Sequence, residues 1–394
     1  MTTTKTTDAT VTALNTIRAE MNATFYERRD VVDGMLLALL SKQHAFILGP
    51  PGTGKSLMVR DLVERFTGSR RFEQLLSKNR PDSAILGPYN LPLLRDEGEF
   101  RRKDAGYFTS VDFAFLDEIG KMSPTLGHDL LGAANERVKH EVNGETSVVP
   151  IPLHSLFAAS NEHPAGESED AAALWDRLLI RTVVDYIQND GLFKSLLEMS
   201  DTPPTKTTIP FADLQAAVEE AKKVVILDDL MDAVIKIRTT LKGDGITVSD
   251  RRWRESLKVV RAQAYLNGRT VADAEDLNAL RFTLWEDLEQ IQKVFRVILS
   301  VASPDAEEAV TLLDETLEIG AKIRAAEGVA DDSVFKIASE GLGKLQRIQK
   351  LAERLQTKLA KADRATDRAD AVLAAIKDVR RAGMNLLKLP PEEG

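Results

Sequence analysis

The stretch GPPGTGKS, residues 49 to 56, follows the short apolar run HAFILG and precedes KSLMVRDLVERF, whose apolar residues recur at helical spacing. Strand, glycine loop and helix in that order leave a chain few folds to choose from. Gly49, Gly52 and Gly54 let the backbone turn tightly, so that successive N–H groups and the start of the next helix point at phosphate oxygens. Lys55 places a cation between the terminal phosphates and Ser56 presents a hydroxyl to magnesium, with Pro51, Thr53 and Leu57 completing the loop. The pattern predicts ATP and Mg2+ held at one edge of an α/β sheet. Kinases, GTP switches, helicases and protein-remodelling motors all carry such a loop, and the choice among them falls to other residues.

Further along, RFEQLLS reads as a second strand, VDFAFLDE as a third ending in two acids, and HSLFAASNE as a fourth with a polar tip. SPTLGHDLLGAANERV, opened by a Ser-Pro cap, is the helix between the last two. Strands alternating with helices predict a parallel sheet covered on both faces. Residues 1–12 are Thr-rich and expected to fray, 13–190 to form the α/β ATPase domain, 191–300 a helical lid domain, and 301–394 a helical extension. From Leu345 to Ile376 small or aliphatic residues recur at alternating spacings of three and four, as in a coiled-coil seam. The middle of that seam, KADRATDRAD, is weak and leaves room for a hinge into an antiparallel pair; packing onto the chain's own domain is the other reading.

Composition removes several classes of chemistry. The 394 residues contain no cysteine, which excludes disulfides, thiolate nucleophiles and cysteine-ligated metal centres. The five histidines never take the helical spacing of a zinc protease. With 52 basic against 61 acidic residues the net charge is -9, a poor footprint for general nucleic-acid binding. There is no signal segment and no apolar run long enough to span a bilayer, so a soluble, cytoplasmic protein is expected.

Asp117 and Glu118 end the third strand, where a phosphate-loop fold needs one carboxylate to hold magnesium through its water shell and a second to polarise the attacking water. Asn161, at the tip of the fourth strand, is placed to orient that water or touch the terminal phosphate; alone, such a residue is usually a turn residue. The paired acids disfavour GTP switches and small kinases.

GPPGTGKS, FLDE, AASNE, LWDRLLIR and VSDRRW, in this order, resemble an AAA+ ATPase of the MoxR family, RavA-type branch, over roughly residues 26–294. LLRDEGEFRRKDAGYF resembles that clade's helix-2 insert, and ERVKHEVNGETSVVPIP, with an Asn-Gly turn at Asn143 and Gly144, its hairpin before sensor 1. The resemblance implies an α/β ATPase domain with an all-α lid, a homo-oligomeric, hexameric ring, and chaperone-like remodelling of a protein client together with a von Willebrand factor A domain partner. It implies that Arg177 projects into the neighbouring subunit's nucleotide, with Arg181 as the competing choice. It puts Arg251 at the sensor-2 position, contacting the terminal phosphate in cis, with Arg252 as its competitor, and sets Tyr26 against adenine or in simple packing. The FRRK cluster, Arg101 to Lys103, faces either a central pore or solvent. Two rival functions are a nucleic-acid translocase and a scaffold in which bound ATP only fixes the ring.

Overall fold

The computed structural model describes residues 9–77, 81–143, 145–163, 174–199, 206–326, 333–361 and 366–387. The chain divides into two compact units, Met1–Val294 and Phe295–Gly394. The division falls inside a helix, Gln290–Ala302, rather than at its end.

The first unit is organised by a parallel sheet of five strands: β1 (Ala45–Leu48), β2 (Arg71–Leu75), β3 (Phe113–Asp117), β4 (Ser155–Ser160) and β5 (Ile180–Val183). Their spatial order is β2-β3-β4-β1-β5. β1 and β4 are buried at every position, as expected for strands with helices on both faces. Register aligns the strand ends. Leu48 pairs with Ser160 and with Val183, and Asp117 with Ala159. The residues that follow β1, β3 and β4 therefore emerge together along the carboxyl edge. β5 takes in the end of the arginine-bearing LWDRLLIR stretch and the two residues after it, a run whose pattern predicts no strand.

A helix spans Ala9–Thr24, so the four residues Ala9 to Thr12, expected to fray, are helical. Val11, Leu14, Ile17 and Met21 are its buried stripe at spacings of three and four, and that burial fixes it. A second helix, Arg29–Ser41, buries nearly every residue. The antiparallel hairpin Val138–Asn143 with Glu145–Pro150 forms where the Asn-Gly turn predicts one; Gly144 itself lies outside the described residues. The insert carries two short helices, Ser83–Leu86 and Leu91–Glu97. From Phe211 the first unit is helical, with helices Phe211–Lys222, Asp228–Gly243 and Asp250–Leu266, then a 3-10 segment over Ala274–Phe282.

The second unit is a bundle of three helices, Pro304–Ala325, Ser333–Lys361 and Asp367–Leu386. Leu345, Ile348, Ala352, Leu355 and Leu359 of the predicted seam pack into a core with Ala369, Val372, Ile376 and Val379. Gln356 bonds to Asp370, and Leu342 lies opposite Gly383, so the last two helices run antiparallel. The last two helices form the antiparallel pair of the hinged reading, packed together with Pro304–Ala325 in one core. Ala362 falls outside the described residues.

Candidate nucleotide site

The glycine loop is shaped by contacts that explain its composition. A Cβ on Gly49 would stand 2.1 Å from the Val184 carbonyl oxygen, so β1 meets the chain after β5 only with glycine there. Gly52 and Gly54 have φ of 78° and 84°, the left-handed region that side chains disfavour. Thr53 Oγ1 donates to Pro50 O at 2.9 Å and stiffens the turn. Pro51 and Gly52 stay exposed, and Leu57 points outward on the helix that Lys55 opens, Lys55–Glu64.

Lys55, Ser56, Asp117, Glu118 and Asn161 converge at the carboxyl edge of the sheet. Lys55 Nζ donates to Gly49 O at 2.6 Å, to Pro50 O at 3.0 Å and to Asn161 Oδ1 at 2.8 Å. Burial draws its pKa below the usual lysine value, and the nearby charges of Asp117 and Glu118 oppose that shift. Ser56 Oγ donates to Asp117 Oδ2 at 2.7 Å. The Asn161 amide nitrogen donates to Glu118 Oε1, so one side chain links the cation to the second acid. A hydroxyl and a carboxylate this close are hard oxygen donors that fit Mg2+, which keeps most of its waters and takes few protein ligands.

The arginines lie at the other edge. A cavity of about 480 Å³ is lined by Lys42, Gln43 and His44, which precede β1, by Asn135 and Arg137 at the end of the helix after β3, and by Leu179, which precedes β5. Eight cationic side chains, Arg177, Arg251 and Arg252 among them, line it against Asp176 and Glu255. β1 alone separates this edge from Gly49 by four residues, roughly 13 Å at about 3.3 Å each. Arg177 Nη1 lies 3.2 Å from Asp176 Oδ2, and Arg251 Nη1 lies 3.6 Å from the same oxygen. Arg251 also donates to Asn135 Oδ1 at 2.5 Å. Arg251 is thus grouped with Arg177 and away from Lys55, which departs from the contact in cis expected of it; the lid helix Asp250–Leu266 begins at the amino edge of the sheet.

The competing arginines are interior. The Arg181 side chain is 0% exposed. Its guanidinium bonds to Trp175 O at 2.8 Å and to Leu178 O at 3.2 Å, and lies over the Trp175 ring at 3.8 Å. Burial pulls its pKa down to about 9. Arg252 is equally enclosed, donating to Thr283 O at 2.8 Å and Leu179 O at 3.2 Å. Their alternation with Arg177 and Arg251 along one chain is invisible in a run such as DRRW.

Tyr26 is half-buried between the first two helices, and the reach from this stretch to the loop is made by Arg28, whose Nε donates to Thr53 O at 3.4 Å. Tyr186, absent from the sequence reading, donates its hydroxyl to Pro51 O at 3.2 Å with its ring exposed. The Glu27 carboxylate holds the segment behind it, accepting from Gln188 N at 2.7 Å and Asn189 N at 3.0 Å. No sequence signal marks Tyr186, because its place depends on where β5 ends. Of the FRRK cluster, Arg102 folds back on the insert, donating to Gly87 O at 2.9 Å and lying over the Tyr89 ring at 4.4 Å.

A glycine-loop site on a five-stranded parallel sheet, followed by a helical lid, defines an AAA+ ATPase. Residues 12–216 match the family profile described as the MoxR domain in the MoxR-vWA-beta-propeller ternary systems, and residues 229–298 match an AAA lid domain. The chain belongs to the MoxR family of AAA+ ATPases, a chaperone-like group. It is 32% identical to an uncharacterized protein of Methanocaldococcus jannaschii, over 95% of this chain and 100% of that one. It is 25% identical to chaperone MoxR1 of Mycobacterium tuberculosis, over 63% of this chain and 67% of the relative. A crystal structure of a candidate ATPase from Cytophaga hutchinsonii shares the fold at TM-score 0.58 and 15% identity, over 74% of this chain and 94% of that one. No helix among the described residues is long and apolar enough to cross a membrane.

Proposed function

We propose that the chain is the ATP-hydrolysing subunit of a hexameric ring, and that each active site is completed by the neighbouring subunit. The observation that carries this reading is the division of charge. The groups for binding and proton transfer gather at the carboxyl edge of the sheet, while Arg177 and Arg251 stand at the amino edge in a cationic cavity. One chain presents half of a site on each edge.

In the proposed reaction Glu118 takes a proton from water as its oxygen attacks the terminal phosphorus and the bond to ADP breaks. Lys55 binds the terminal phosphates, and Asn161 positions the water and reports loss of the product phosphate. Ser56 and Asp117 would hold Mg2+, which neutralises charge on the phosphate oxygens. Arg177 of the neighbour supplies positive charge to the transition state, and Arg251 acts from the same face rather than in cis. Glycine-loop residues Pro51 to Leu57 cradle the triphosphate, and Tyr26 lies towards the base.

The test is complementation. Lys55→Ala chains lack the binding half and Arg177→Ala chains lack the donated half, so each assembly is inactive alone. Mixed, they form some interfaces with both halves intact, and ATP turnover returns. Mixtures that stay as inactive as their parents, while still assembling, rule out a shared site.

The described family suggests the client machinery: a von Willebrand factor A domain partner, and a protein complex remodelled with it in the cytoplasm. The acidic balance of the chain favours protein over nucleic acid as the object of the work. Affinity capture with Glu118→Gln chains and ATP checks this, because a ring that binds without hydrolysing retains its partners; recovery of nucleic acid alone reverses the assignment.

A further inference from the structure

Glu118 is held at both of its carboxylate oxygens. Oε1 accepts from Asn161 Nδ2, and Oε2 lies 3.3 Å from Lys121 Nζ. The backbone makes the second contact possible. Glu118 has φ 55° and ψ 47°, left-handed for a residue with a side chain, and it opens a 3-10 turn over Ile119–Lys121. Lys121 N donates to Glu118 O at 2.9 Å, and that turn returns the lysine side chain over the acid three residues before it.

The turn is tethered to an element the hydrolytic site does not use. Two residues after Lys121, Ser123 Oγ donates to Asp82 Oδ1 at 2.9 Å, at the start of the insert, while accepting from Leu126 N at 3.2 Å as a helix cap. Asp104 of the same insert pairs with Lys139 of the hairpin at 2.5 Å. Insert and hairpin are thus joined to each other, and the insert is joined through Asp82 and Ser123 to the turn that carries Lys121.

Each carboxylate oxygen keeps a further acceptor site, so these two contacts do not block Glu118; they fix the direction in which it points. Asn161 belongs to the nucleotide site, so the separable restraint is Lys121. We propose that Lys121 is a positioning residue that holds Glu118 back from hydrolysis, and that the insert at residues 81–107, anchored through Asp82 to Ser123, keeps the turn in that holding position. The inference rests on Glu118 being the proton acceptor in the proposed function. A plain surface ion pair three residues apart would contribute little and leave turnover unchanged.

Steady-state ATP turnover of the full chain, at one fixed concentration, separates these cases. Lys121→Met and Lys121→Gln raise kcat about two- to fivefold with KM for ATP unchanged, the size expected for loss of one partly exposed ion pair. Lys121→Arg keeps the parent rate. Asp82→Ala, which spares the Ser123 cap, raises kcat in the same direction, and combining it with Lys121→Met adds nothing further. If both Lys121 variants keep the parent's thermal midpoint and turn over no faster, the restraint is wrong; additive increases sink the tether. Glu118→Gln is the separate control: turnover retained there removes Glu118 as proton acceptor, whatever the lysine variants do.

Discussion

Arg177 and Arg181 differ by four positions and look alike in the sequence. Arg181 is surrounded by carbonyls and two tryptophan rings, so Arg181→Met leaves buried acceptors unpaired and costs about 1–3 kcal/mol of stability for each, read as a fall in the chemical denaturation midpoint. Under the proposed function, Arg177→Ala leaves that midpoint unchanged and lowers ATP turnover about 10³-fold, the range for a missing arginine finger. His44 gives a second test at this scale. It is buried, with Nε2 at 2.7 Å from Ala134 O and Nδ1 accepting from Leu156 N at 2.9 Å. Burial lowers its pKa to about 3, and that of His154 to about 4. The unfolded chain takes up these protons near pH 6.5 while the folded chain refuses them. Stability therefore falls as pH drops from about 6.5 towards 4, by about 1.4 kcal/mol per unit for each histidine. Urea unfolding at pH 7, 6 and 5 measures the slope, and His44→Gln flattens it.

Elements were legible to different degrees, for physical reasons. β1, β3 and β4 are apolar runs with polar tips, so both their existence and the side chains they carry to one edge could be read from the pattern. β5 was not, because its residues are split between an arginine that turns inward and a threonine and valine that continue a loop-like stretch. The tail shows the same limit. Its spacing fixes helices, but a seam of alternating threes and fours serves an extended coil or a folded bundle equally well. Small residues decide for the bundle. A Cβ on Gly320 would stand 2.7 Å from Val379 Cγ2, and one on Gly383 3.1 Å from Leu342 Cδ2. Gly320→Val overpacks that contact and is expected to destabilise the second unit by about 1–3 kcal/mol, seen as an earlier loss of helical circular dichroism on heating.

At the scale of the whole molecule, the proposed site exists only between copies. ATP turnover per chain should then rise with chain concentration, from near zero in dilute solution to a plateau once rings form, and light scattering should follow the same curve. A rate per chain that is independent of concentration across the assembly range contradicts a shared site. The sequence by itself determined the order of strand, glycine loop and helix, the acids Asp117 and Glu118 at the end of β3, Asn161 after β4 and the helical character of the lid and tail, because each depends on neighbours a few residues away. Only the tertiary structure decided which arginines are interior, that Arg251 stands with Arg177 across the sheet from Lys55, and that Tyr186 reaches Pro51 and Lys121 reaches Glu118. Those facts follow from strand register and from which edge each helix returns to, and contacts between residues far apart in the chain set both.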